Sequence, residues 1–179
     1  MKKILASITL LGSLVSSYAI EISDIQTRAG LAIQSVSSYD KGYALILNGA
    51  VPMPELYDNF SVEGEFGYSM IDPNIDYSFG ETSLSILSLS GFGVYTHNIN
   101  SNIALRARAG LSFQSITAES KVDTTFFGGG TTSSSDTEFE LVFGVGGSYK
   151  IDGDKTLLID YTRMNSNFSH LSAMVEFKL

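Results

Sequence analysis

Residues 59–70 read NFSVEGEFGYSM, and their alternation decides the fold. Phe60, Val62, Phe66, Tyr68 and Met70 fall on one side of an extended chain, with Ser61, Glu63, Glu65 and Ser69 on the other. A period of two belongs to a strand, whose side chains point alternately to opposite faces. Such a strand must cover its apolar face and find partners for its carboxylates. The rest of the chain has to say whether the apolar side meets a protein core or lipid.

Seven further stretches repeat the pattern. TRAGLAIQSV (27–36) sets Ala29, Leu31 and Ile33 against Arg28, Gly30 and Gln34. YALILNGAV (43–51) sets Tyr43, Leu45, Leu47 and Val51 against Ala44, Asn48 and Ala50. In SLSILSLSGFGVYTH (83–97) the apolar phase slips between Ile86 and Leu87, which reads as a β-bulge. NIALRARAGLSFQSI (102–116) places Ile103, Leu105, Ala107, Ala109, Leu111 and Phe113 opposite Arg106, Arg108, Ser112 and Gln114. TEFELVFGVGGSYK (137–150) opposes Phe139, Leu141, Phe143, Val145 and Tyr149 to Glu138, Glu140, Gly144 and Ser148. KTLLIDYTRM (155–164) opposes Leu157, Ile159 and Tyr161 to Asp160 and Thr162. The final stretch, HLSAMVEFKL (170–179), alternates to its last residue, so it needs a neighbouring strand to order it. Eight strands is an even number, as closed antiparallel barrels require, and pairing of the last with the first would close the ring.

The connections fall into two groups. PMPELYD, HNINSN and IDGDK are short and rich in Pro, Asn, Asp and Gly, as turns are. The joins near 37–42, 71–82 and 118–137 are longer or more polar, whereas NSNFS near 165–169 is short as well. Short turns at one end and longer loops at the other is the plan of a barrel in the outer membrane, with its loops outside the cell. Large aliphatics make up the apolar face, with Tyr43, Phe60, Tyr68, Phe113, Phe139, Tyr149, Tyr161 and Phe177 near strand ends, where aromatic girdles meet membrane surfaces. A soluble barrel or sandwich would use the same side chains as core; the girdle, the loops and the leader favour the membrane.

That leader is MKKILASITLLGSLVSSYA (1–19): a basic tip, an apolar run and a small-residue site at Ala19, the layout of a cleavable signal peptide. Its apolar run is shorter than the roughly 20 residues that span a bilayer as a helix. The expected organisation is therefore a signal peptide over 1–19 and one domain over 20–179. The 179 residues carry 11 Lys+Arg against 19 Asp+Glu, a formal charge of −8, and cleavage would remove Lys2 and Lys3 to leave −10. Nucleic acid is excluded as a partner on that balance, since phosphate contacts need clustered cations. With no cysteine there is neither a disulfide framework nor thiol chemistry.

FGVGGSYKIDGDKTLLIDYTRM (143–164), followed by VEFKL (175–179), resembles the last two hairpins of the OmpA-like, opacity-type eight-stranded outer-membrane barrels. GFGVYTHNINSNIALRARAGLSF (91–113) is similar to the middle of the same fold. The resemblance runs over 20–179 and is one of strands and turns. It implies an all-β, eight-stranded antiparallel up-and-down transmembrane β-barrel in the outer membrane of a Gram-negative bacterium, exported through the Sec pathway. It also implies contact with outer-membrane lipid and lipopolysaccharide, and a C-terminal assembly signal, Val175, Phe177 and Leu179, read by the barrel-assembly machinery. Such families usually end on phenylalanine; here the aromatic is Phe177 and the last residue is Leu179.

The inward face carries the strongest constellation of polar residues. Glu63, Glu65, Arg106, Arg108, Asp160 and Glu176 fall at similar heights on four strands, with Arg28 lower. A small barrel has room only for its own side chains, and buried charges there must pair. The six form either a structural salt-bridge plug or the lining of a gate or narrow ion path. In the loop ESKVDTTFFGGGTTSSSDTE, Phe126 and Phe127 are candidates for contact with a host or another cell surface. No catalytic residue, metal site or cofactor is expected: His97 and His170 are the only histidines and lack metal-ligand spacing. His170-Leu171-Ser172 resembles the H-x-S element of outer-membrane lipid A deacylases, but no third group follows to orient the histidine, and the even positions face inward. The expected role is structural or surface-interacting, of the adhesion type, with a narrow porin and a lipid-modifying hydrolase as alternatives.

Overall fold

The computed structural model describes residues 25–122 and 129–177. All regular structure among them is β: β1 (Gln26–Val36), β2 (Gly42–Pro52), β3 (Phe60–Ile71), β4 (Asn74–Tyr77), β5 (Gly80–Asn98), β6 (Ile103–Val122), β7 (Gly130–Lys150), β8 (Lys155–Arg163) and β9 (Phe168–Phe177). The expected signal peptide, Phe126, Phe127 and Leu179 lie outside the described residues.

All strands except β4 form a closed antiparallel ring. The order runs β3-β2-β1-β9-β8-β7-β6-β5, and a β3–β5 pairing completes it. The register fixes the barrel's geometry. Beginning at Ala104 of β6, successive partners are Ser148, Leu158, Met174, Gly30, Ile46, Gly67 and Ser88. Ser88 in turn pairs with Gln114, so one circuit lands ten residues further along β6. That stagger over eight strands goes with a strand tilt of about 40°. Pairing of β1 with β9, from Thr27–Phe177 to Val36–Phe168, seals the seam.

The alternation sorts the side chains. Outside, Ile103, Leu105, Leu111 and Phe113 mark the height of an apolar belt on β6. Those eleven positions, at roughly 3.3 Å each and tilted, span about 25 Å, the height of the apolar band on outer-membrane barrels. Leu31, Leu47, Phe66, Leu89, Val145, Ile159 and Leu171 share this exposed belt. Tyr149, Phe177 and Tyr95 flank it at the turn end, and Tyr43, Tyr68 and Phe139 at the loop end.

Turn chemistry is repeated. Asn100 Oδ1 accepts from the backbone N–H groups of Asn102 and Ile103, and Asp152 Oδ1 from those of Asp154 and Lys155. Asn165 Oδ1 does the same for Asn167 and Phe168 at the opposite end, which is why the β8–β9 join is as short as the turns. A carboxylate or amide oxygen here replaces a backbone carbonyl, so the chain reverses in few residues. Asn59, at φ 64°, reverses the chain before β3.

Three expectations need correction. No bulge occurs at Ile86–Leu87: β5 pairs regularly with β6 from Gly80 to Asn98. The apolar phase changes there because the interior itself turns apolar, and Ile86 packs inward with Phe92, Val94, Val142, Met164 and Phe168. The register shift lies between Tyr43 and Ala44, opposite the end of β3. Nor is 118–137 one long loop, since β6 and β7 stay paired from Ile116–Asp136 to Val122–Gly130. Likewise 71–82 contains β4, which pairs with β5 from Asn74–Ser83 to Tyr77–Gly80.

As a result β5, β6 and β7 run to 19, 20 and 21 residues, where about 9–11 suffice to cross a membrane. With β4 they form a fin beyond the belt. β8 pairs with β7 only from Phe143 onward, so Gly130–Val142 of β7 has a free edge among the described residues.

Candidate functional site

The polar interior is built from the inward positions of six strands. Arg28 (β1), Asn48 (β2), Glu63 and Glu65 (β3), Arg106 and Arg108 (β6), Asp160 (β8) and His170 (β9) are all buried there. They meet because the register aligns them across β7: Arg106 is the direct partner of Gly146, whose other partner is Asp160.

The charges form one chain of alternating sign. Glu176 accepts from Arg28 Nε at 2.8 Å, and Arg28 Nη1 also donates to Glu63. Glu63 accepts from Arg106 Nη2 at 2.9 Å and 3.0 Å through its two oxygens. Arg106 Nε donates to Asp160 Oδ1 at 3.2 Å, and Arg108 Nη1 to Asp160 Oδ2 at 3.4 Å. Arg108 Nη2 ends the chain on Glu65 Oε2 at 2.7 Å. His170 Nε2 stands 3.6 Å from the other oxygen of Glu65. Asn48 Nδ2 bridges Glu63 and Glu65 at 3.4 Å each. Buried ions cost several kcal/mol each unless paired and hydrogen-bonded, and each carboxylate and arginine in this chain has at least one charged partner.

Two features make room for the chain. A Cβ at Gly146 would overlap Asp160 Oδ1, and one at Gly144 would stand 2.7 Å from Arg108 Cγ. The glycines of FGVGG thus leave a groove in β7 where these side chains lie against the wall. Arg108 also rests on the face of Phe92, 3.6 Å from its centroid, in a cation–π contact.

Of the six residues predicted for the interior, Glu63, Glu65, Arg106, Arg108 and Asp160 are almost completely enclosed and Glu176 reaches the chain from the turn end. Sequence reasoning missed Asn48, Phe92 and the part played by Gly144 and Gly146. Parity alone placed His170 and Asn48 inward, but which residues touch depends on the stagger. Val175 and Phe177 of the predicted assembly signal lie on β9, paired with Ala29 and Thr27. His170 and Ser172 face the interior, and Ser172 Oγ donates to the Asp160 backbone carbonyl at 3.3 Å. Among the described residues no group of three or more His, Cys, Asp or Glu is placed to hold a metal.

Two apolar clusters cover the charges. Ile86, Phe92, Val94, Val142, Met164 and Phe168 pack with Val36, Leu84 and Ile116 toward the loop end. Ala32, Ala44, Ile46, Leu158 and Met174 form the second cluster. At the turn end a vestibule of about 290 Å³ is lined by Lys150 and Asn102 and reaches Arg28, Arg106 and Glu176.

The chain matches the family model described as outer membrane protein beta-barrel domain over residues 6–176. The structure of Neisserial surface protein A superposes with a TM-score of 0.62 at 18% identity, covering 87% of this chain and 97% of that one. Ail, the attachment invasion locus protein of Yersinia pestis, gives 0.55 at 16% identity, covering 85% and 94%. The N-terminal barrel domain of Pseudomonas aeruginosa OprF gives 0.53 at 12%, covering 86% and 96%. No curated protein matches the sequence. The closed eight-stranded ring, the apolar belt and the family match agree: this chain belongs to the outer-membrane β-barrel protein family.

Proposed function

We propose that the protein works at the cell surface through the fin of β4–β7, with the barrel as its anchor and the charged interior as a plug. One observation carries this reading: three strands run about ten residues beyond what a membrane crossing needs. The fin is polar and held by small contacts. Thr82 and Ser120 share a hydrogen bond of 2.9 Å, and Lys121 pairs with Glu81 at 3.2 Å. Among the described residues its β7 edge, Gly130–Val142, has no strand partner beyond β6 and offers backbone groups that a partner strand can take up.

Secretion through the Sec pathway, removal of 1–19 and recognition of Val175, Phe177 and Leu179 by the barrel-assembly machinery complete the proposed route to the membrane. Lipopolysaccharide is then the surrounding lipid, and the partner sits on a host or neighbouring cell. Ail, at 16% identity, has also been solved with the heparin analogue sucrose octasulfate; the fin here is rich in Ser and Thr, and its cation Lys121 is shared by Glu81 and Glu119. The test is adhesion of bacteria expressing the intact chain or a variant with 117–135 replaced by a short turn. The variant is expected to keep a folded, heat-modifiable barrel and lose adhesion. Adhesion equal to that of the intact chain would reject the fin as the working part.

A further inference from the structure

The apolar belt is notched at the loop end of β8, and we propose that this notch seats the phosphate of a phosphorylated glycolipid from the outer leaflet. The inference rests on the surface reading above, in which the loop end faces outward.

The circumferential rows show the notch. Val145, Tyr161, Leu171, Ile33 and Tyr43 are successive partners around the outside, and all are apolar or aromatic. One row nearer the loop end the sequence is Phe143, Arg163, Ser169 and Ser35. Arg163 is the one charged side chain that the described strands place on the outer face at this edge of the belt. On β7 the belt continues above this row, with Phe143, Leu141 and Phe139 59%, 66% and 53% exposed. Beside the end of β8, then, a polar step adjoins an apolar wall.

The step is shaped to receive a headgroup. Arg163 donates through Nε to the Asn165 carbonyl at 3.2 Å and through Nη2 to the Ser166 carbonyl at 3.4 Å. These contacts hold the guanidinium at the turn and use two of its five N–H donors, leaving three for a ligand. A cleft of about 260 Å³ runs beside it, lined by Ser35, Ser37, Tyr161, Ser166 and Phe168. A guanidinium fork with hydroxyl groups around it matches phosphate oxygens. The adjoining Phe143, Leu141 and Phe139 match acyl chains, which a free anion does not have. A cation at this depth is tolerated because its cost falls toward the interface, where anionic groups are found.

Native mass spectrometry of the folded protein in detergent tests the site. The probes are bisphosphorylated lipid A, lipid A stripped of phosphate, and inorganic phosphate. Lipid A with phosphate is expected to be retained about tenfold better than the stripped form, the worth of one charge-assisted contact. Arg163→Gln should abolish that preference, and Arg163→Lys should keep part of it. Ser35→Leu, which fills the step with an apolar side chain and leaves the arginine in place, should weaken retention severalfold. Equal retention of the two lipids by the intact protein, or an unchanged preference in Arg163→Gln or Ser35→Leu, overturns the proposal. Retention of inorganic phosphate as strong as that of lipid A overturns the choice of a lipid. Protease access to the fin in whole cells reports orientation separately. A fin exposed outside with no phosphate preference removes the site alone, whereas a fin facing inward removes the surface reading too.

Discussion

Arg106 and Arg108 are two residues apart on one strand and differ in what their loss leaves behind. Without Arg106, Glu63 keeps Arg28 and Asp160 keeps Arg108. Without Arg108, Glu65 has no arginine and the face of Phe92 loses its cation. Arg108→Ala is therefore expected to cost about 3–5 kcal/mol, the usual penalty for breaking a buried pair, and Arg106→Ala clearly less. Urea titration of the barrel refolded in lipid vesicles compares them; equal losses would contradict the chain of contacts described. Gly146→Ala forces a Cβ onto Asp160 and is expected to cost about 1–3 kcal/mol by overpacking in the same titration. A neutral Gly146→Ala would mean that Asp160 can leave the β7 groove freely. The facing of these residues was legible in the sequence, because a period of two sends Glu63, Arg106 and Asp160 to one side of their strands. Their contacts were not, because pairing across a barrel depends on a stagger that no single strand encodes.

The fin is where reading by pattern fell short. Residues 130–137, GTTSSSDT, are polar on both faces, so they lack the apolar alternation by which strands are recognised. They are ordered by pairing with β6, and all eight are exposed. Ile86 misled in the opposite way: an apolar residue facing inward looked like a slip of phase, although the interior simply changes from charged to apolar along β5. The short connections were legible, since Asn100, Asp152 and Asn165 each advertise a side-chain-capped turn. If the free edge of β7 binds by strand addition, lysine at Thr132 and Ser134 should weaken adhesion several-fold, as charges on an edge oppose pairing. Barrel stability should change by less than about 0.5 kcal/mol, as for other exposed surface substitutions. Adhesion unaffected by both lysines would move the contact from the edge to another part of the surface.

Across the molecule, the polar and apolar halves of the interior perform different tasks. The apolar clusters give the barrel a core in the ordinary sense, while the charge chain fills much of the rest with ion pairs. Among the described residues Arg108 Nε, the neighbouring His170 Nε2 and the Gln114 amide stay without hydrogen-bond partners. Closure of the ring by β1 and β9 satisfies the backbone, which hydrocarbon could not do. The terminal alternation of 170–177 already pointed to that seam. What it could not show is whether the ring encloses a path, because that depends on how far side chains reach across it. The vestibule leads from the turn end to Arg28 and Arg106, where the chain of ion pairs begins, and apolar side chains pack together toward the other end. The central claim is that this interior is a plug and that function lies outside it. Planar-bilayer recording of the folded protein in concentrated potassium chloride tests the claim most directly. A quiet membrane with no discrete current steps is the predicted result; regular unitary steps from the intact protein would contradict it.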